Sequence, residues 1–298
     1  MAEEALPLFQ RVLEIAWKNY VVQSPKPDGP LYHYTTADAL LNILRARSLW
    51  ATNLLFTNDP TELSYAESLI TRALDDAISA CRLSGDSQRC EWLDGFKLST
   101  RRQLERNTWY SVSFCADGDL LPQWRSYGAR GGGFAIGWSP VSVLPDNPIR
   151  VGIEYEPKRQ RDVVDQTIRY HLDHVADHPD IAAPDALDDL TFATGSLGVF
   201  FSMFLYGFKH RAFEQEREFR FVYPGFDMNA PEGKALHFRD FGGTIKPYIE
   251  ADFAQAELLE IVYGPTANAG LTERWLQMAL DAYSFKGVKV RPSEVPMR

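Results

Sequence analysis

A chain of 298 residues, 45% hydrophobic and 24% charged, has the apolar content to build a sizeable core and too much of it for a disordered protein. Its formal net charge of −9 excludes a protein that mainly coats nucleic acid or an anionic membrane, but not a nucleic acid held as substrate in a local basic cleft. Cys81, Cys90 and Cys115 show no Cys-x-x-Cys spacing, which suggests neither a zinc site nor a disulfide framework and points to a reducing, cytoplasmic setting.

The start of the chain, with Glu3 and Glu4, lacks the basic region of a signal peptide. Leu8, Val12, Ile15 and Ala16 recur at helical spacing and predict an amphipathic helix over 4–22. The breaker-rich run Ser24 to Pro30 then separates an arm, residues 1–30, from a single domain over 31–298. A short strand is expected at Leu31–Tyr34, followed by a helix that Thr35 or Thr36 caps and whose apolar face is Ala39, Leu40, Ile43 and Leu44. A strand at Leu49–Thr52 precedes Asn58-Asp59-Pro60-Thr61-Glu62, which opens a long helix to about Leu83, and a second helix over 87–106 completes a helical hairpin. A β-rich centre follows: a strand at Trp109–Cys115, with Cys115 as core, a short helical turn holding Trp124 and Tyr127, and strands at Gly133–Trp138 and Val151–Tyr155.

Residues 159–206 return to helix, broken near His178-Pro179. Within them Thr191 to Phe208 carries no charge, but its serines, threonines and glycines make it a buried helix rather than a membrane span. Strands are expected at 216–223, 235–238, 245–250 and 258–263, then a helix over 271–283 and a strand at 288–290. Helices and strands intersperse without regular βαβα alternation, which favours an α+β class.

Five motifs carry chemistry. His33, between Tyr32 and Tyr34, sits on a strand where an imidazole can donate to a hydroxyl or act as acid or base; a buried histidine bonded to backbone is the plain alternative. Asp59, Pro60 and Glu62 are accounted for by helix initiation, leaving ligation as their secondary reading. Ser111-Val112-Ser113-Phe114 and Trp124-Arg125-Ser126-Tyr127 supply rings that fill a core or stack on a heterocycle, and Gly131-Gly132-Gly133 fits a turn with close backbone approach. Read as one strand, Glu216, Glu218 and Arg220 share a face and Phe219, Phe221 and Tyr223 the other, so the charged face is either solvated or the floor of a cleft. Two neighbouring carboxylates repel, which raises the pKa of one and suits acid–base work. Last, Ile261-x-x-Gly264-Pro265-Thr266 reads as a strand-turn-helix joint rather than a phosphate site.

Taken in order, His33-Tyr34-Thr35, Asn58-Asp59-Pro60-x-Glu62, Ser113-Phe114, Trp124-x-x-Tyr127, Gly133 to Gly137, Lys209, Glu216-x-Glu218-x-Arg220 and Ile261-x-x-Gly264-Pro265 resemble the bacterial, defence-associated domain-of-unknown-function 2971 family, over about Leu31 to Pro265. A more distant resemblance joins Leu31–Thr36 and the helix after it to ADP-ribosyltransferases of the His–Tyr–Glu type, with Tyr34 in place of the usual glycine.

That second resemblance implies a split β-sheet core with a helical hairpin insertion and flanking helices. It implies NAD as substrate, bound by His33, Tyr34, Thr35, Ser113, Trp124, Tyr127 and Arg220, with Glu218 as the key carboxylate and Glu216 assisting. Such a carboxylate stabilises the ribose cation as nicotinamide departs. The resemblance does not name the acceptor, which is open between a protein, a nucleic acid and a small molecule; no membrane partner is expected, and the expected setting is a defence or toxin effector. Two rivals stand beside it. One is a non-catalytic nucleotide-binding or sensor module on the same scaffold. The other is a metal-dependent nuclease using Asp59, Glu62, Glu216 and Glu218.

Overall fold

The computed structural model describes residues 27–56, 60–128, 132–139, 148–176, 201, 203–226, 229–253, 258–265 and 268–296. The expected helix over 4–22, the motif residues Asn58, Asp59, Gly131 and Thr266, and most of the uncharged stretch from Thr191 lie outside them. The rest forms a mixed α/β structure around one large, open and mostly antiparallel sheet.

The strands are β1 (Leu31–Thr35), β2 (Ser48–Asn53), β3 (Asn107–Cys115), β4 (Phe134–Trp138), β5 (Ile149–Gly152), β6 (Glu218–Phe226), β7 (His237–Phe241), β8 (Thr244–Asp252), β9 (Leu258–Tyr263) and β10 (Lys289–Pro292). The helices are α1 (Ala37–Ala46), α2 (Pro60–Ser84), α3 (Ser87–Arg106), α4 (Leu121–Ser126), α5 (Pro157–Ala176) and α6 (Ala269–Ala282). Local chemistry explains several ends. Thr36 caps α1, accepting from the Ala39 amide, and Arg47 closes it in the left-handed region with its amide on the Ile43 carbonyl. Leu40, Ile43 and Leu44, one stripe of α1, are buried. Asn268 caps α6, which starts five residues after Gly264, two residues earlier than the expected helix.

The strand order is β10-β9-β4-β1-β3-β2-β8-β7, with β6 and β5 added beyond β3. Among the strands described, only β9 and β10 pair in parallel. All of β3 pairs with β6, from Asn107↔Phe226 to Cys115↔Glu218. Its other edge is shared: β2 pairs near Ser111, with Thr52↔Ser111, and β1 pairs at Tyr32↔Cys115. Between those two registers the sheet forks at Ser113, and α1 bridges the two prongs.

Paired residues share a face, so register sorts the side chains. One face carries Leu31, Leu49, Tyr110, Val112, Phe114, Phe221, Tyr223 and Ile249, and packs on Leu40, Ile43 and Leu44 of α1 and Leu276 and Leu280 of α6. Over the other face Trp109, Val151 and Val222 meet α2, α3, α5 and the helical residues 203–207. A smaller cluster on that face joins Tyr32, Tyr34, Cys115, Trp124, Ala135 and Val262. Each large side chain so buried contributes about 1.5–3 kcal/mol. The described end of the uncharged stretch is core, with Phe201, Phe204 and Phe208 fully enclosed, and among the described residues no helix is long and apolar enough to cross a membrane.

Gly133 confirms a close approach. A Cβ there would meet the Thr35 carbonyl oxygen at 2.5 Å and the Gly128 backbone at 2.7 Å. The helical hairpin α2–α3 falls between β2 and β3 with the expected boundaries. The expected strand from Glu216 is shorter at its start: residues 211–216 form a 3-10 turn, Arg217 is left-handed (φ 47°), and β6 begins at Glu218. The left-handed residue interrupts the two-residue alternation, so pleat alone does not place Glu216 beside Glu218.

Candidate functional site

The site is built on β3 and β6 next to the fork. Cys115↔Glu218 and Ser113↔Arg220 are register pairs, so Ser113, Glu218 and Arg220 project from one face. Three separated segments bring partners to them. Glu62 comes from the first turn of α2. Lys209 follows the helical residues 203–207, its amide bonded to the Glu154 carbonyl at 3.2 Å. Glu216 ends the 3-10 turn. Gln160 on α5 fixes this junction. Its side chain donates to the carbonyls of Glu154 (2.6 Å) and Lys209 (3.0 Å), and accepts from the Tyr65 hydroxyl (2.8 Å).

Together these groups form a buried ion network. Arg220 grips Glu218 in a two-pronged pair, Nε to Oε1 at 2.7 Å and NH2 to Oε2 at 3.0 Å, contacts Glu62, and donates to the Tyr206 carbonyl at 3.0 Å. Lys209 Nζ lies 2.5 Å from Glu216, 2.9 Å from Glu218 and 3.7 Å from Glu62. The Tyr155 hydroxyl accepts from the Glu218 amide at 3.0 Å. Glu218 and Arg220 are only 7% and 4% exposed.

The two strand-edge carboxylates are driven apart in proton affinity. Burial pushes the pKa of Glu218 up, but Arg220, Lys209 and the neighbouring Ser113 hydroxyl outweigh it and hold the group well below the usual carboxylate range. For Glu216 burial prevails over Lys209, and its pKa is raised. Lys209 is held charged: the surrounding carboxylates, Glu218 foremost, overcome its desolvation. Its ammonium occupies the point on which the three carboxylates converge, where the nuclease alternative would seat a metal.

His33 belongs by pleat to the α1-covered face, with Phe114 6.0 Å away between ring centres. Its Nδ1 reaches the Ser113 carbonyl oxygen at 3.0 Å, in the fork itself. A carbonyl only accepts, so Nδ1 carries the proton and Nε2 is the open acceptor of the neutral ring. Burial, with a smaller contribution from the Arg239 charge, lowers the His33 pKa against the opposing carbonyl bond. Ser113 itself is exposed.

The structure thus gathers His33, Ser113, Glu216, Glu218 and Arg220. It leaves other predicted residues elsewhere. Trp124 is fully enclosed, edge-on to Tyr34 at 4.8 Å with its indole N–H on Asp119, so neither ring face is open for stacking. Its size served the core, as large rings commonly do. The Tyr34 ring points away from His33; its hydroxyl donates to the Asp117 carbonyl and accepts from the Leu120 amide, tying down the loop after β3. Tyr34 therefore does not crowd the imidazole. Thr35 is buried, its carbonyl against Gly133. Tyr127 caps α4 with its ring 41% exposed. Sequence reasoning gave Lys209 no role and Glu62 mainly a helix-initiating one; the charge complementarity with two nearby glutamates was the available signal, without a way to show proximity. A cavity of about 390 Å³ lies instead along α2 and α5, lined by Ala73, Cys81, Arg89, Arg161 and Leu172 among others, and shares no residue with this site.

Fold and site define a mixed α/β protein with a forked, mostly antiparallel sheet and a buried ion network on its polar face. A family model described as a protein of unknown function (DUF2971) matches residues 123–221, which include Lys209, Glu216, Glu218 and Arg220 but not His33, Glu62 or Ser113. No curated protein and no solved structure matches the chain.

Proposed function

We propose that the fork is the donor cleft of an NAD-dependent ADP-ribosyltransferase-like protein, with a defence or toxin effector as its setting. The observation that carries this is Ser113. Its carbonyl takes the His33 imidazole and its hydroxyl lies beside the ionised Glu218, so one exposed residue links the two predicted groups across the sheet.

In this reading His33 Nε2 accepts from a ribose hydroxyl. The nicotinamide–ribose bond breaks, its electron pair leaving with nicotinamide, and the Glu218 carboxylate stabilises the ribose cation. The acceptor's nucleophilic atom bonds to the ribose carbon and gives its proton to Glu216, whose raised proton affinity suits a base. Arg220 and Lys209 are positioning residues that hold Glu218 ionised, and the exposed Tyr127 ring is the remaining candidate for stacking on nicotinamide.

One observation favours a second reading, a non-catalytic nucleotide-binding module. Arg220 and Lys209 already engage both Glu218 oxygens, which weakens the field left for a cation. Nicotinamide release from NAD separates the two. The first reading expects turnover that Glu218→Gln lowers by about a hundred-fold or more, and that Ser113→Ala, outside the ion pairs, also lowers while the fold melts normally. Binding of NAD without release selects the second, and absence of binding removes both.

A further inference from the structure

The helical hairpin holds a pair of thiols that the fork does not use. Cys81 lies in the last turn of α2 and Cys90 in the first turn of α3, on either side of the bend at Gly85. Both residues reach one oxygen atom. The Cys81 thiol donates to the Asp86 carbonyl at 3.2 Å, and the Cys90 amide donates to the same carbonyl at 3.1 Å. Cys81 belongs to the buried cluster beneath the helices, and the partly buried Cys90 packs against that cluster. Two ion pairs between the helices, Arg82–Asp94 at 3.0 Å and Lys97–Asp75, hold them in register. Cys115 sits in a different cluster, with Tyr32, Tyr34 and Trp124.

A disulfide forms readily only where the backbone already brings two sulfurs within reach. Here the turn does so. The carbonyl that takes the Cys90 amide also docks the Cys81 sulfur, which sets that sulfur against the Cys90 peptide. Burial, and next the Cys90 thiol beside it, push the Cys81 thiol up to about 11, while Arg89 favours its thiolate. A thiol so raised is a poor first nucleophile, whereas Cys90 is half-buried and reached from solvent. The cavity of about 390 Å³ opens onto Cys81, with Ser84, Asp86 and Arg89 on its wall.

We infer that Cys81 and Cys90 are a reversible modification site, closing to a disulfide across the α2–α3 hairpin when the chain meets a low-molecular-weight disulfide as oxidant. The Cys90 thiolate attacks one sulfur of the oxidant, whose S–S bond breaks and releases a first thiolate. The Cys81 thiolate then attacks the Cys90 sulfur and expels the second. The two protein thiols are oxidised, the oxidant is reduced to two thiols, and the two protons end on those products. The hydrogen bond from Cys81 to Asp86 is given up in the process. The cross-link pins α2, the helix that carries Glu62 into the ion network. None of this depends on what the fork does.

Incubation of the folded full chain with oxidised glutathione, followed by thiol counting and peptide mass mapping, tests it. Of the three cysteines only Cys115 should remain free, and mapping should return a Cys81–Cys90 cross-link that dithiothreitol reverses. Cys81→Ser should stop at a glutathione adduct on Cys90. Cys90→Ser should leave Cys81 reacting about ten-fold or more slowly than Cys90 does in the wild type. Circular dichroism confirms that each variant folds. The ratio of cross-link to adduct should be about ten-fold or more higher in the folded chain than in urea, because the hairpin supplies the proximity. The inference is overturned if both hairpin thiols survive in the folded chain, or if the adduct persists on Cys90 of the wild type without cross-linking. Closure no better in the folded chain than in urea overturns it equally. NAD turnover, whether present or absent, changes none of these outcomes, so the fork reading and the thiol pair stand or fall separately.

Discussion

At the scale of single residues, the ion network is an arrangement in which removing one member costs more than the pair itself contributes. Arg220→Leu strips Glu218 and Glu62 of a buried partner, and urea denaturation should show a loss of about 3–5 kcal/mol. The acid limb of stability should have two parts. His33 titrates in the fold below its ordinary 6.5, so its contribution is complete above pH 6.5 and declines as pH falls through the folded value. Glu218 is likewise depressed, so its contribution is present above the usual carboxylate range and is lost below it. Denaturation from pH 8 to 3 should show the first part vanish in His33→Gln, whose amide can still donate to the Ser113 carbonyl, and the second persist. Glu218 and Arg220 were legible as neighbours because a strand's alternation puts every second residue on one face. Trp124 was misread because a large ring has the same sequence appearance whether it fills a core or lines a cleft.

At the scale of elements, most boundaries followed from local chemistry. The hairpin α2–α3 was legible from Pro60 and Glu62 at a helix start, and its two helices are separated at Gly85, a residue with positive φ. The start of β6 was not, because a left-handed Arg217 is set by the turn it closes rather than by its own propensity. Where two backbones nearly touch, size decides. Gly133→Ala drives a methyl into the Thr35 carbonyl and the Gly128 backbone, neither of which can rotate aside. It should lower the free energy of unfolding by about 1–3 kcal/mol in urea denaturation, with hydrogen exchange quickening first at the β1–β4 pairing.

At the scale of the molecule, long-range ties join segments that the sequence keeps far apart. Asp119, after β3, accepts from the Trp124 indole at 2.7 Å, from the Glu294 amide at 2.7 Å and from the Ser293 hydroxyl, pinning the chain beyond β10. Asp119→Ala should cost roughly 3 kcal/mol, with faster proteolytic nicking after Pro292 as the local readout. By itself the sequence determined the mixture of helices and strands, the hairpin, the aromatic face of β6 and the charges opposite it, because these depend on period, capping and turn chemistry within a few residues. Tertiary structure alone decided that Glu62, Lys209 and Arg220 share one network, that Tyr34 and Trp124 pack on each other rather than line the cleft, and that His33 reaches Ser113 through a fork. Those outcomes depend on strand order and register, which bring together residues from separate segments of the chain and leave no local trace in it.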